Sequence, residues 1–500
     1  VTTSPEDLIS KSYLLRREVI MFCEPTLLFN RPRKMKSNRR AWVLLCNKKG
    51  AALSLEKLPL IVSFALINFF GAICISLQAP FFPREAEDKG ASPTEYALVF
   101  AAFQFSMLIF SPLCSAIIPV IGSKNMTRCG ALVTSLSCIG FGFTKMIEDT
   151  TAFIVTAILI RMIEGFGEAQ FFVSLFSILS QEFQESVALM FAFFTTCWSV
   201  GLMLGPTIGG FLYDVGGFTL PFVTTGGCLF VVAIVSCFIL RSYSDVDPDD
   251  ETTQMNCLIF EIVQYPGVIV SCLGVFSAAF SIGFIQTTLQ QHLQVFDISS
   301  GIVGLLFSST SVFYILASPF WGWLCDRGLR PHFCMLIGSL IYCLAFFLIG
   351  PPSFLPMRNL LWVNIVSLAL IGIGLSCHFV SGFTGIQRET LKQGYPRDLK
   401  SYSASSGLWS SSTSLGACLG ASITGVLYQN LGFPDSAVIV AGLHLFVFVT
   451  ILVYLISSQG FVFYKSSLAE RTPLMSSFTS STSSCVVSNQ DEPILSEEVF

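Results

Sequence analysis

Charge is scarce in this sequence. Only 12% of its 500 residues are Asp, Glu, Lys or Arg, against roughly 25% in an average soluble domain. Apolar residues reach 53% and the mean hydropathy is +0.70, so most of the chain is expected to lie in a lipid bilayer. The motifs of enzyme chemistry are missing as well: there is no nucleophile–base pair, no metal-ligand cluster and no phosphate-binding loop. An enzyme, a metal centre and an organic cofactor are therefore not expected, and no nucleic-acid-binding pattern is present. The 17 cysteines include no CxxC pair. Cys74, Cys114, Cys138, Cys197, Cys272, Cys343, Cys377 and Cys418 lie inside apolar runs and read as small packing residues rather than as bridges. No signal-peptide pattern opens the chain.

What is present is a series of long apolar runs. A bilayer core of about 30 Å takes about 20 mainly apolar residues per helix. Twelve such runs occur, near 60–82, 96–119, 129–146, 152–179, 187–212, 219–240, 266–289, 301–324, 333–350, 360–385, 402–428 and 438–456. The expected class is an all-α integral membrane protein with two bundles of six helices, 59–240 and 265–457. A basic segment at 1–58 and a Ser/Thr-rich tail at 458–500 read as disordered, and the acidic stretch 241–264 reads as a linker on the cytoplasmic side. Short loops that would face the cytoplasm with both termini inside carry most of the Lys and Arg, among them Lys124, Arg128, Arg327, Arg330, Arg388 and Arg397. That bias sets the expected orientation.

A repeat joins the two halves. The run Gly201-Leu-Met-Leu-Gly-Pro-Thr-Ile-Gly-Gly-Phe-Leu-Tyr213 returns 215 residues later as Gly416-Ala-Cys-Leu-Gly-Ala-Ser-Ile-Thr-Gly-Val-Leu-Tyr428. Extended to the Gly-Phe pairs at 217–218 and 432–433, nine of eighteen positions are identical. Duplicated halves are a common build of secondary transporters.

Three patterns carry chemistry. Gly201, Gly205, Pro206, Gly209 and Gly210 in span five resemble the antiporter motif of the major facilitator superfamily. Small residues four apart let a neighbouring helix approach closely, and Pro206 frees one backbone acceptor; the alternative is a plain packing stripe. After span eight, Gly322-Trp-Leu-Cys-Asp326-Arg327-Gly-Leu-Arg330 resembles the superfamily's loop signature, which implies an interdomain charge network, unless Asp326 and Arg327 are an ordinary surface pair. The matching first-half loop, Ser115 to Lys124, has lost its Gly and Asp. In span four, Arg161, Glu164 and Glu168 follow at intervals of three and four, which places them on one helix face. Charges inside a bilayer usually face a cavity and mark ion or substrate paths; the alternative is a static buried network. Gln286 and Glu389 are further candidates, and Asn68, Gln78, His378, Trp198, Tyr314 and Tyr342 are weaker ones.

Over about residues 54–475 the chain resembles vesicular polyamine transporters of the vesicular amine family, in Pro80-Phe-Phe-Pro-Arg-Glu-Ala-Glu-Asp-Lys-Gly-Ala-Ser92 and in the Gly-Gly-Phe-Leu-Tyr of span five. It departs from them at Gln286, where an acid is expected, and in span one, which lacks the Asp of the monoamine transporters. The resemblance implies a secondary antiporter that uses protons to move a small organic cation, a polyamine or other amine, into vesicles. The alternatives are a different cargo (an organic anion, sugar or drug bound by Arg161) or a non-transporting receptor on the same fold. In the tail, Glu470, Leu474 and Met475 resemble an acidic dileucine signal for sorting adaptors. The orientation has a direct check. The sequon Asn125-Met126-Thr127 falls on the cytoplasmic side, so Asn125 is expected to stay unglycosylated, and a glycosidase-sensitive mass lost in Asn125→Gln would reverse the topology.

Overall fold

The computed structural model describes residues 57–239, 258–296, 300–351 and 360–470. Spans one to six are the helices Leu58–Ser76, Pro93–Ile121, Ser123–Gly142, Thr150–Glu182, Val187–Gly216 and Thr219–Ile239. Spans seven to ten are Pro266–Leu293, Ser300–Asp326, Pro331–Ile349 and Leu361–Lys392. Spans eleven and twelve lie in the run Leu399–Glu470, divided at Gly432, whose φ of 76° breaks the helix. The protein is an all-α integral membrane protein of twelve transmembrane helices in two six-helix bundles. Among the described residues, eleven helical stretches are long and apolar enough to cross a membrane. The hydroxyl-rich start of span eleven falls short, and that helix is instead identified by its packing along span seven and against span two.

Helix ends follow local chemistry. Span one stops at Ser76 rather than near residue 82, because Pro80 lacks an amide donor and disfavours helix in the residue before it. A short helix, Phe82–Asp88, follows. Lys89 then ties that corner to the start of span four, donating Nζ to the Ile147 carbonyl at 2.6 Å. Span two begins with a capping box, in which the Ser92 amide and hydroxyl both donate to Glu95 Oε2 at 2.7 and 2.8 Å. The expected linker contains a short helix, Leu258–Ile262. The last helix runs on to Glu470, past the expected boundary at 457, and Pro473 is the first proline after Pro434. The basic segment 1–56, the acidic cluster 245–251, and Leu474 and Met475 lie outside the described residues.

No hydrophobic drive pulls helices together inside lipid, so association depends on close fit. The repeat supplies that fit twice. A Cβ at Gly201 would strike the Phe69 carbonyl and, at 2.7 Å, Ala72 Cβ; at Gly205 it would strike Ser76, and at Gly209 the Leu77 backbone. Span five therefore lies on span one, backbone to backbone. In the second half Gly416 meets the Phe276 carbonyl and Gly420 meets Phe280, at 2.8 Å from its Cα, so span eleven lies on span seven in the same way. The two copies also end alike. Gly217 (φ 70°) and Gly432 (φ 76°) turn the chain at equivalent positions, and each is followed by a buried Phe, 218 and 433.

Gly210 is different, with open space where its side chain would be. Gly201→Val is expected to lower the thermal midpoint in detergent by the equivalent of roughly 1–3 kcal/mol. Gly210→Val should leave it within error, and equal losses in both would show that the seam is not what the motif serves.

Candidate functional site

Span four carries the buried charges. Its first turn is capped by Asp149, which accepts from the Ala152 amide at 2.8 Å. The helix then runs 33 residues and buries Arg161, Glu164 and Glu168 to 2%, 1% and 2% exposure. Arg161 donates Nη1 to Glu164 Oε2 at 2.7 Å. With the Gln78 amide oriented oxygen-first, as the facing donors require, Nη2 and Nε reach that oxygen at 2.9 and 3.3 Å. The guanidinium also lies over the Phe103 ring, 5.0 Å from its centre. Arg161 is thus spoken for by one carboxylate, one amide and one aromatic face.

Glu168 is held far less. Its Oε2 accepts one long bond from Thr134 at 3.5 Å, and its Oε1 has no partner among the described residues, as is also true of Glu164 Oε1. The carboxylate faces the bare backbone of Gly71 and the rim of Trp198. A Cβ at Gly71 would stand 3.5 and 3.6 Å from its two oxygens and 3.7 Å from Trp198 Cζ3. Phe172 sets its edge against that indole at 4.6 Å. One guanidinium balances one of the two carboxylates, so the second needs a proton or a visiting cation to sit in hydrocarbon.

The remaining candidates are dispersed. Gln286 is exposed on span seven and is not brought to the span-four cluster. Glu389, near the end of span ten, is held by Lys392 at 2.5 Å and faces His332 Nδ1 at 3.9 Å. His378 bridges helices, with Nδ1 2.8 Å from the Gly274 carbonyl and Nε2 3.2 Å from Ser339 Oγ. Tyr342 stacks on His444 at 4.0 Å inside the second bundle. Asn68 donates within its own helix, to the Phe64 carbonyl. Of the weaker candidates only Gln78 and Trp198 join the cluster.

The loop signature works differently from a charge network. The two oxygens of Asp326 accept from the amides of Ala188 and Leu189 at 3.1 and 2.8 Å, which makes a residue of the second half the cap of span five in the first. Gly322, one turn earlier, leaves room for this: a Cβ there would lie 2.8 Å from the Ala188 carbonyl. Arg327 stacks on Trp323 at 4.2 Å, and Arg330 occupies the position just before span nine. The residue that braces the loop is Arg388, which donates to the Cys325 and Leu329 carbonyls at 2.8 and 3.2 Å; sequence reasoning had placed it only among the loop cations. The first half has no counterpart to the Asp326 cap because span eleven caps itself, with Asp398 accepting from the Ser401 amide at 2.8 Å. Serines close that side, Ser403 donating to the Ser115 carbonyl at 3.0 Å and Ser111 pairing with Ser410 at 2.8 Å.

Between Glu168 and these loops the two halves meet in an aromatic block. Phe191 of span five stacks on Phe383 of span ten at 4.3 Å, and Trp409 of span eleven sets its edge on Phe176 and Phe191 at 5.4 and 5.1 Å. The path from the charged cluster toward the Lys/Arg-rich end is therefore shut by rings from both halves.

A family model of the Major Facilitator Superfamily matches residues 64–271 and 271–476. The chain belongs to the major facilitator superfamily. It is a membrane transporter and not an enzyme. The human MFS-type transporter SLC18B1 is 30% identical over 391 residues, 77% of this chain and 84% of that protein. The bovine synaptic vesicular amine transporter is 22% identical over 360 residues, 70% of this chain and 64% of the relative. Among solved structures, the human organic anion transporter MFSD10 (TETRAN) superposes with a TM-score of 0.60 over 78% of this chain and 98% of that one, at 15% identity, which speaks for the major facilitator fold alone.

The loop signature of this superfamily member can be tested as a cap. Asp326→Ala is expected to lower the thermal midpoint by the equivalent of about 0.5–2 kcal/mol, the range for losing a helix cap. Arg327→Ala should cost nothing measurable. Matching losses in the two variants would point back to a charge pair between them.

Proposed function

We propose that this transporter is a proton-coupled antiporter that carries a small organic cation, a polyamine or another amine, into vesicles by alternating access. The observation behind this reading is the uneven partnering of the two buried acids of span four, of which only Glu164 meets a cation. Glu164 is matched by Arg161, which leaves Glu168 with one long hydrogen bond and one empty oxygen. A carboxylate so placed is stable when protonated or when it faces an ammonium group. It cannot take both at once, and that exclusion is the physical basis of exchange. The Trp198 ring beside it offers a second feature that cations favour. Similarity to a relative named for vesicular amine transport agrees with this choice.

An anionic cargo held by Arg161 is less well supported, because the donors of that guanidinium are already turned to Glu164 and Gln78. The reading also places both termini in the cytoplasm, the protein in vesicles or endosomal and secretory membranes, and sorting adaptors on the tail at Glu470, Leu474 and Met475.

The test is uptake of labelled spermidine and of a labelled monoamine into proteoliposomes that are acidic inside. Uptake of either, abolished by a protonophore, is the expected result. Glu168→Gln should remove at least nine-tenths of it with normal expression and an unchanged thermal midpoint. Gradient-driven uptake that survives in Glu168→Gln would take this residue out of the coupling, and a gradient response to anions but not to amines would overturn the cargo.

A further inference from the structure

The connection between the halves ends in the short helix Leu258–Ile262, which residues 263–265 join to span seven. Its sequence, Leu-Ile-Phe-Glu-Ile, sets Leu258, Ile259 and Ile262 on one side, and all three are buried. Glu261 is exposed, and so is Phe260 at 65%. A helix of one turn does not hold itself together in isolation, so packing keeps this one in place. It lies against span eleven of the second half and span two of the first.

The meeting point is Gly407 of span eleven. A Cβ there would stand 2.8 Å from Ser115 Cβ of span two and 3.0 Å from Ile259 Cδ1. Both halves and the connection between them thus converge where a side chain has no room. One turn earlier on span eleven, Ser403 makes its bond to the Ser115 carbonyl. The connection is also fastened to the second half. The Tyr395 hydroxyl, in the loop before span eleven, donates to Glu261 Oε2 at 3.4 Å, and the Tyr395 ring meets Tyr265 edge-on at 6.2 Å.

We propose that the helix Leu258–Ile262 is a strap, anchored on the second half and seated on span two, that holds the loop end of the transporter shut. Parting span two from span eleven strips Ile259 of part of its apolar cover, and that surface is then exposed to water. The contact exists in the closed arrangement and is lost in the open one, so it biases the balance between them. The inference rests on the alternating access proposed above, but not on the cargo or the coupling ion.

The experiment is hydrogen–deuterium exchange, read by mass spectrometry on the full chain in nanodiscs without cargo. Exchange in residues 110–118 and 402–411 should be at least about fivefold faster in Ile259→Ser, which removes most of the apolar contact. Gly407→Ala, which wedges the same junction, should act in the same direction. Phe260→Ser, on the exposed side of the strap, should match the wild type. At the opposite ends of spans one and seven, exchange should stay the same or slow. Faster exchange at both ends would mean general loosening and would sink the strap. So would wild-type exchange at 110–118 and 402–411 in both Ile259→Ser and Gly407→Ala, or an equal effect of Phe260→Ser. No uptake enters this readout, so a failed antiport assay and a failed strap are told apart.

Discussion

Moving an ionised carboxylate out of water costs several kcal/mol even after the protein relaxes around it, and span four carries two of them beside one guanidinium. Arg161, Glu164 and Gln78 settle most of that cost among themselves. Glu168 is left with Thr134, a glycine and an indole rim. The surrounding parts govern what reaches that acid. The aromatic block of Phe176, Phe191, Phe383 and Trp409 denies it water from the loop side. The glycine seam bears on it as well: Gly201 of span five packs on Phe69 and Ala72 of span one, which bracket the Gly71 that Glu168 faces. A shift of span five along its seam therefore moves the floor beneath the acid.

The two halves share packing but not charge. Gly201 and Gly205 have working counterparts in Gly416 and Gly420, and the positive-φ turns at Gly217 and Gly432 coincide in the repeat. Span ten is the counterpart of span four, yet it carries no matching triad. Its one acid, Glu389, is neutralised by Lys392 close to the helix end. The loops have diverged in the same sense, with Asp326 capping across the halves and Asp398 capping its own helix. Close fit constrains every helix pair in lipid, so both copies keep it. A proton or cation needs only one acceptor, so the chemistry can survive in one half alone.

Much of this was legible beforehand. Hydropathy located the spans, internal repetition located the duplicated seam, and spacings of three and four put Arg161, Glu164 and Glu168 on one face. What could not be read were partners far away in sequence. Nothing local to Asp326 announces the amides of Ala188 and Leu189, and nothing near Gln78 announces Arg161 across the bundle. Gln286 and Glu389 were drawn in by residue type and depth along their helices, which say nothing about direction: one turns to the exterior and the other to a neighbouring lysine. One signal went unused. Asp398 followed three residues later by Ser401, before a long helix, is a recognisable helix start, and it explains why the first-half loop could lose its own Asp.

The closure at the loop end combines two kinds of contact, and their difference bears on how it opens. The Asp326 cap and the serine pairs are hydrogen bonds that water can replace, each with a net contribution of about 1 kcal/mol. The stacked rings have no such substitute, because parting them exposes apolar surface at roughly 25 cal/mol per Å². An alternating transporter needs two states within a few kcal/mol of each other. The rings therefore set most of the barrier to hydration, and the polar latch makes a small adjustment to the balance. A modest perturbation at the latch, such as a lost cap, is then enough to change which end of the protein is open.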